Sequence, residues 1–178
     1  MDRQQHSTLR EGVLTGLIGG AVAALWHLLV DLSQGEPFHT PNVLGQVLLG
    51  GDTTPAVRTI VPEAVAGYGL LHFLIFILLG IGIVALTHMA TRNPALRMGV
   101  WLGLTIAFLF SLGFLLVLYW VTRQRFPWVP ALGGSILGIG SMGLYIWRRH
   151  PALRGTFSDA PLGDEVRPPP HPPGRSRR

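Results

Sequence analysis

The sequence predicts an all-α integral membrane protein, a four-transmembrane-helix bundle with both termini cytoplasmic and a short interfacial helix in the first outer loop. Three observations carry that expectation. Charged residues are 13% of the 178-residue chain and hydrophobic residues 48%, about half the charged share of a typical soluble domain. The apolar residues gather in four runs long enough to cross a hydrocarbon layer of about 30 Å, and arginines flank those runs unevenly. Mean hydropathy is +0.41.

The first run, Gly12 to Leu32, is too long for a signal peptide, and no small-x-small cleavage site precedes Asp31 and Glu36. It is expected to remain as a helix. The second covers Ala66 to Ala90, with Pro62-Glu63 placing a ring and a carboxylate where helix starts favour them. The third, Met98 to Thr122, follows Asn93-Pro94, which reads as an N-cap and first helical residue. The fourth, Trp128 to Trp147, comes so soon after the third that the two must form an antiparallel hairpin around Arg123 to Pro127. Trp101 and Trp120 bracket the third span and Trp128 and Trp147 the fourth, each pair about 28 Å apart along a helix, as interfacial anchors should be.

Arginine counting orients the bundle. Arg3, Arg10, Arg92, Arg97 and the run from Arg148 fall on one side; Arg58, Arg123 and Arg125 fall on the other. The richer side is the expected cytoplasmic one. The outer loop, 33–65, contains a rigid turn from Gly35 to Pro41 and then a helix over about 41–49, apolar through Val43, Leu44, Val47 and Leu48 and ending at Gly50-Gly51. Its few polar positions, Asn42 and Gln46, predict that it lies in the interface or against the bundle. Thr54-Pro55 is expected to open a second turn of helix. Residues 151–178 form a Pro/Arg-rich tail that should be disordered unless a partner holds it.

All 14 basic residues are arginine, giving net +5 and a pI near 11.0. In this setting the charge marks headgroups and orientation, not nucleic acid. Arg148, Arg149, Arg154, Arg175, Arg177 and Arg178 are the candidate partner or lipid-headgroup contacts. With no cysteine, disulfides, thiolate metal sites and cysteine nucleophiles are excluded.

Between helices in lipid, small residues permit the close approach that drives association. Gly16, Gly20 and Ala24 supply such a stripe in the first span, Gly99, Gly103 and Ala107 in the third, and Gly134 and Gly138 in the fourth. The stretch Gly138 to Gly143 matches G-x-G-x-x-G, but it lies within an apolar span with no preceding strand, so its glycines are read as packing residues.

Ionisable groups within a span are costly, which makes each a candidate for function. His27 and Asp31 share one face of the first span, and Tyr68 and His72 one face of the second. Because those helices run in opposite directions, the two histidines arrive at matched depth, about 7 and 9 Å below the outer boundary at 1.5 Å per residue. Several readings compete for this cluster. It is a structural hydrogen-bond network, with His27 bonded to Asp31 and His72 to Tyr68 or a carbonyl. Alternatively, His27 or His72 ligates haem b or a chlorophyll-type pigment, for which Ala23-x-x-x-His27 resembles the small-x-x-x-His spacing of light-harvesting helices. A divalent metal on His27, His72 and Asp31, or quinone and proton handling, completes the set. His88, about 24 Å from His72 along its helix, is expected at the inner interface and outside this cluster. No acyl-transfer or hydrolytic triad is present in the spans, so no catalytic residue is assigned.

The pattern Gly35-x-Pro37-Phe38-x-Thr40-Pro41-x-x-Leu44-Gly45, following a span that carries Ala-Leu-Trp and ends in Asp31, resembles uncharacterised four-span membrane proteins of high-GC bacteria over roughly the first 50 residues. The resemblance implies the bacterial cytoplasmic (inner) membrane and no activity. The leading functional expectation is a non-catalytic accessory subunit of a larger membrane complex of the respiratory or photosynthetic kind. The alternatives are a haem-, pigment- or quinone-binding electron-transfer protein using His27 and His72, and a small transporter.

Overall fold

The computed structural model describes residues 2–93, 96–122, 128–151 and 153. The described chain is all-helical: α1 Asp2–Ser33, α2 His39–Gly50, α3 Pro62–Arg92, α4 Arg97–Val121 and α5 Trp128–Arg149. Four of these, excluding α2, are long and apolar enough to cross a membrane, over Thr8–Ser33, Pro62–Thr91, Arg97–Val121 and Trp128–Arg149. The tail beyond Leu153, with Arg154, Arg175, Arg177 and Arg178, and the 123–127 connection lie outside the described residues. Arg148 and Arg149 are exposed at the end of α5.

Helix α1 is central and packs along both α3 and α5. Glycine explains the α1–α3 seam. A Cβ built on Gly80 of α3 would fall on the backbone of Gly12 and Gly16, and one on Gly16 would strike the backbone of Phe76 and Ile77. The two main chains therefore touch directly, the approach that small residues permit in an apolar solvent. On α5 glycine does something different from the expected backbone contact. Gly133 receives the indole of Trp26, Gly134 the imidazole of His27, and Gly138 the ring of Phe76 beside the methyl of Ala23. Gly20 on α1 likewise receives Phe73. These glycines make room for side chains projecting from the neighbouring helix.

Helix α4 is held more loosely. Gly103 meets Ile83 and Leu86, Gly99 reaches Leu86 only at 4.0 Å, and Ala107 packs at the margin of the core. Ile83, Val84, Val100, Leu104, Ile139 and Ile146 join α3, α4 and α5 toward the end of the bundle away from α2. Val43, Leu44, Val47, Leu115, Leu118 and Ala131 join α2, α4 and α5 at the other end. Much of the rest of α4 faces outward with large apolar side chains, Phe110 at 76% and Trp120 at 72% exposure among them. That is the composition of a lipid-facing surface.

Helix α3 starts with Pro62 at its first turn and Glu63 beside it. Asn93 is not the N-cap of α4. It is extended and closes α3, its N–H bonding Met89 O, and α4 begins at Arg97. The α2 helix starts two residues earlier than anticipated and ends in a turn where Gly51, at φ 68°, lets its own N–H reach Val47 O and that of Asp52 reach Gln46 O. The bond from Gly51 N–H to Val47 O, made by a left-handed glycine, is the αL form of helix closure. No helical turn forms at Thr54-Pro55. The carboxylate of Asp52 instead accepts from Thr54 N–H at 2.8 Å, an Asx turn that competes with helix. Asn42 and Gln46 hold the loop from beneath. Gln46 exchanges two hydrogen bonds with the Ala56 backbone at 2.9 and 3.1 Å. Asn42 donates to Ala56 O and Thr59 O and accepts from Val61 N–H.

Candidate functional site

His27 of α1 and His72 of α3 meet at the matched depth that their positions in antiparallel spans predict. Their ring centroids are 6.4 Å apart at 62°, and both residues are buried. His72 Nε2 lies 3.0 Å from the carbonyl of Gly20. That oxygen only accepts, so Nε2 carries the proton, and the neutral ring presents Nδ1 as an acceptor. The Tyr68 hydroxyl faces Nδ1 at 3.5 Å, a long contact at the edge of hydrogen-bonding geometry. Phe76 packs against the imidazole at 4.8 Å and Phe73 meets it edge-on at 5.5 Å.

His27 has a different environment. Its Nε2 points at Gly134 of α5 and has no hydrogen-bond partner among the described residues. The expected His27–Asp31 bond does not form, because Asp31 is committed elsewhere. Its two carboxylate oxygens accept from Thr40 N–H at 2.8 Å and from the Thr40 hydroxyl at 2.7 Å. Phe38, at the N-cap position of α2, sits at φ 66° and offers no side-chain cap, so Asp31 caps this helix from the end of α1. A carboxylate at a helix N-terminus satisfies open N–H groups and complements the dipole.

Around these residues is a cavity of about 440 Å³ lined by Ala24, Leu28, Val65, Gly69 and Phe73 as well as by His27, Asp31, Tyr68 and His72. Its volume lies within the range of about 300 to 1,000 Å³ usual for small-molecule sites, which are mostly apolar with a few placed polar groups. Ala24, expected as a packing residue, is half-buried and forms part of this wall.

The geometry discriminates among the cofactors considered. Iron held between the two histidines needs one nitrogen of each aimed at a shared point. Here His72 Nε2 is spent on a carbonyl of α1, His27 Nε2 faces α5, and phenyl rings pack against the His72 ring. A haem between them does not fit this arrangement, and a pigment ligated by His72 Nε2 would have to displace Gly20. A metal on His27, His72 and Asp31 fares no better, since Thr40 takes both carboxylate oxygens.

A second polar cluster, at the opposite end of the bundle, was not anticipated. His88 Nε2 lies 3.1 Å from one oxygen of Glu11, and His150 Nε2 lies 2.9 Å from the other. The signal that finds it is the same depth argument: Glu11 near the start of the first span, His88 near the end of the second and His150 just past the fourth all fall at one membrane face. No protein-family model, curated protein or solved structure matches this chain.

Proposed function

We propose that this chain is a non-catalytic, multi-pass protein of the bacterial inner membrane that binds the ring of a quinone-class lipid in the cavity between α1, α2 and α3. Both termini are cytoplasmic in this reading, and α2 lies in the outer interface. The arginine distribution supports that orientation, and it puts the cavity in the outer half of the bilayer, within reach of molecules dissolved in the lipid. The observation that carries the proposal is the cavity itself, largely apolar with His27, Asp31, Tyr68 and His72 as its polar lining. Tyr68 turns its hydroxyl proton away from His72 Nδ1, 3.5 Å distant, and donates it to a carbonyl oxygen of the ligand. Neither group is committed to a short side-chain bond, so ligand contact displaces little.

Equilibrium binding of a short-tailed quinone to the purified protein in nanodiscs tests this. One ligand per chain is expected in the wild type, with weaker binding in Tyr68→Phe and loss of binding in Ala24→Leu, which fills the cavity. Binding equal in all three proteins, or absent from the wild type, rejects the reading.

A second reading, an accessory subunit of a larger complex, rests on α4. An open groove of about 690 Å³ runs between α4 and α5, lined by Trp101, Phe108, Gly140, Leu144 and Trp147. A Cβ on Gly140 would meet nothing within 4 Å. A small residue on an open face suits the approach of a helix from another membrane protein. Gentle detergent extraction followed by native electrophoresis distinguishes the cases: a lone monodisperse particle rejects the subunit reading.

A further inference from the structure

Three side chains from three separate parts of the chain meet at the end of the bundle opposite α2. Glu11 comes from the first turns of α1, His88 from the last turns of α3, and His150 from the residue that follows α5. They are separated in sequence by 77 and 139 residues. The imidazoles present Nε2 to the two oxygens of one carboxylate, at 3.1 and 2.9 Å, and one ligand atom from each of the three residues lies within 4.8 Å of the others. Their side chains are 15 to 20% exposed, so the group is sheltered from solvent yet reachable.

We propose that Glu11, His88 and His150 form a binding site for a divalent transition-metal ion of the zinc class. Metal–ligand distances of about 2.0 to 2.2 Å put neighbouring ligand atoms about 3.3 to 3.6 Å apart around a tetrahedral ion, and the two N···O separations, 3.1 and 2.9 Å, need open by only a few tenths of an ångström to reach that edge. The rings stand 5.4 Å apart at 67° and so approach the shared oxygens from different directions. Two imidazoles and a carboxylate are the donor set that suits zinc, iron, cobalt and nickel, whereas magnesium and calcium prefer oxygen alone.

The hydrogen bond on the far side of His88 supports the assignment. Its Nδ1 lies 2.6 Å from the hydroxyl of Thr8, the arrangement by which histidine ligands are held in orientation and tautomer. In one tautomer Nε2–H donates to Glu11 and metal binding releases that proton; in the other, Nδ1–H donates to Thr8 and the Nε2 lone pair faces the Glu11 carboxylate. Two lone pairs facing each other repel, and a cation between them removes the repulsion. The nearby Arg149 is engaged with Tyr145, donating from Nε to the hydroxyl at 3.3 Å with its guanidinium over the ring. An ion here ties α1, α3 and the segment after α5 together at the bundle's end.

The test uses the full chain without an affinity tag, purified in detergent and stripped with a chelator, and titrated with Zn²⁺ by equilibrium dialysis. One Zn²⁺ per chain is expected, unaffected by millimolar Mg²⁺ or Ca²⁺. Glu11→Gln, His88→Ala and His150→Ala should each weaken binding more than about 100-fold, beyond what losing an outer partner costs, and Thr8→Val about tenfold. Because those variants can also fail to fold, Co²⁺ is bound to the wild type in parallel and its visible absorption read. Intense bands of a four- or five-coordinate ion support the site. The weak spectrum of hexa-aqua cobalt, or zinc binding that persists undiminished in the three ligand variants, overturns it.

Discussion

The carboxylate of Asp31, at the end of α1, takes both the backbone N–H and the hydroxyl of Thr40, in the first turn of α2. This pair makes α2 an extension of the bundle: one residue closes the turn from Gly35 to Phe38 and caps the helix that follows. It also removes Asp31 from the ligand chemistry for which its spacing from His27 recommended it.

Asp31→Ala therefore leaves two buried donors without their acceptor and is expected to destabilise the protein by about 1.5 to 3 kcal/mol, the range for hydrogen bonds to a charged group. Asp31→Asn retains one acceptor oxygen and should cost less. Denaturant titration in detergent measures both, and equal stability of all three proteins would show that the cap contributes nothing.

Glycines at closed and open positions should behave oppositely. Gly80→Leu forces a side chain into the backbone of α1 and is expected to abolish a folded monomer. Gly140→Leu projects into open space and should leave monomer stability within about 0.5 kcal/mol, as surface changes usually do. If a partner helix uses the α4–α5 groove, the same Gly140→Leu change removes the partner from native gels.

Asn42 supports the loop before α3 through three hydrogen bonds. Asn42→Ala should cost about 1 to 3 kcal/mol through the unsatisfied backbone groups it leaves, and the effect should be local. Limited proteolysis reads it as faster cleavage between residues 52 and 61 with the spans intact. An unchanged cleavage rate would show that the loop is held by other contacts.

The absence of cysteine makes topology directly measurable. A membrane-impermeant maleimide added to intact cells should label Thr53→Cys and not Thr91→Cys, with Thr91→Cys labelled only after permeabilisation. The reverse pattern would invert the bundle and put the Tyr68 cavity in the inner half of the membrane.

The four long helices were legible because lipid imposes length and composition on each span, and no tertiary detail is needed to see that. The approach of His27 to His72 was legible for a related reason: in antiparallel spans, depth converts sequence position into one spatial coordinate. Rotation about each helix axis is the coordinate that depth omits. Nothing local in the sequence says that Gly134 makes room for the His27 ring, that Asp31 turns to Thr40, or that Gly20 lends its carbonyl to His72. Asn42 and Gln46 were read as polar positions on a surface helix, whereas their amides serve the backbone of a loop ten and more residues ahead. Glu11, His88 and His150 were missed because depth was compared only at the outer boundary.

Photoaffinity labelling tests most directly whether a ring-headed lipid occupies the space between α1, α2 and α3. A quinone carrying a photoreactive group on its ring is irradiated with the wild-type protein in nanodiscs, and the modified peptides are identified by mass spectrometry. Adducts confined to residues 21–31 and 65–73, and suppressed by excess unlabelled quinone, are the predicted result. Labelling spread over the exposed face of α4, or insensitive to competitor, would contradict the account.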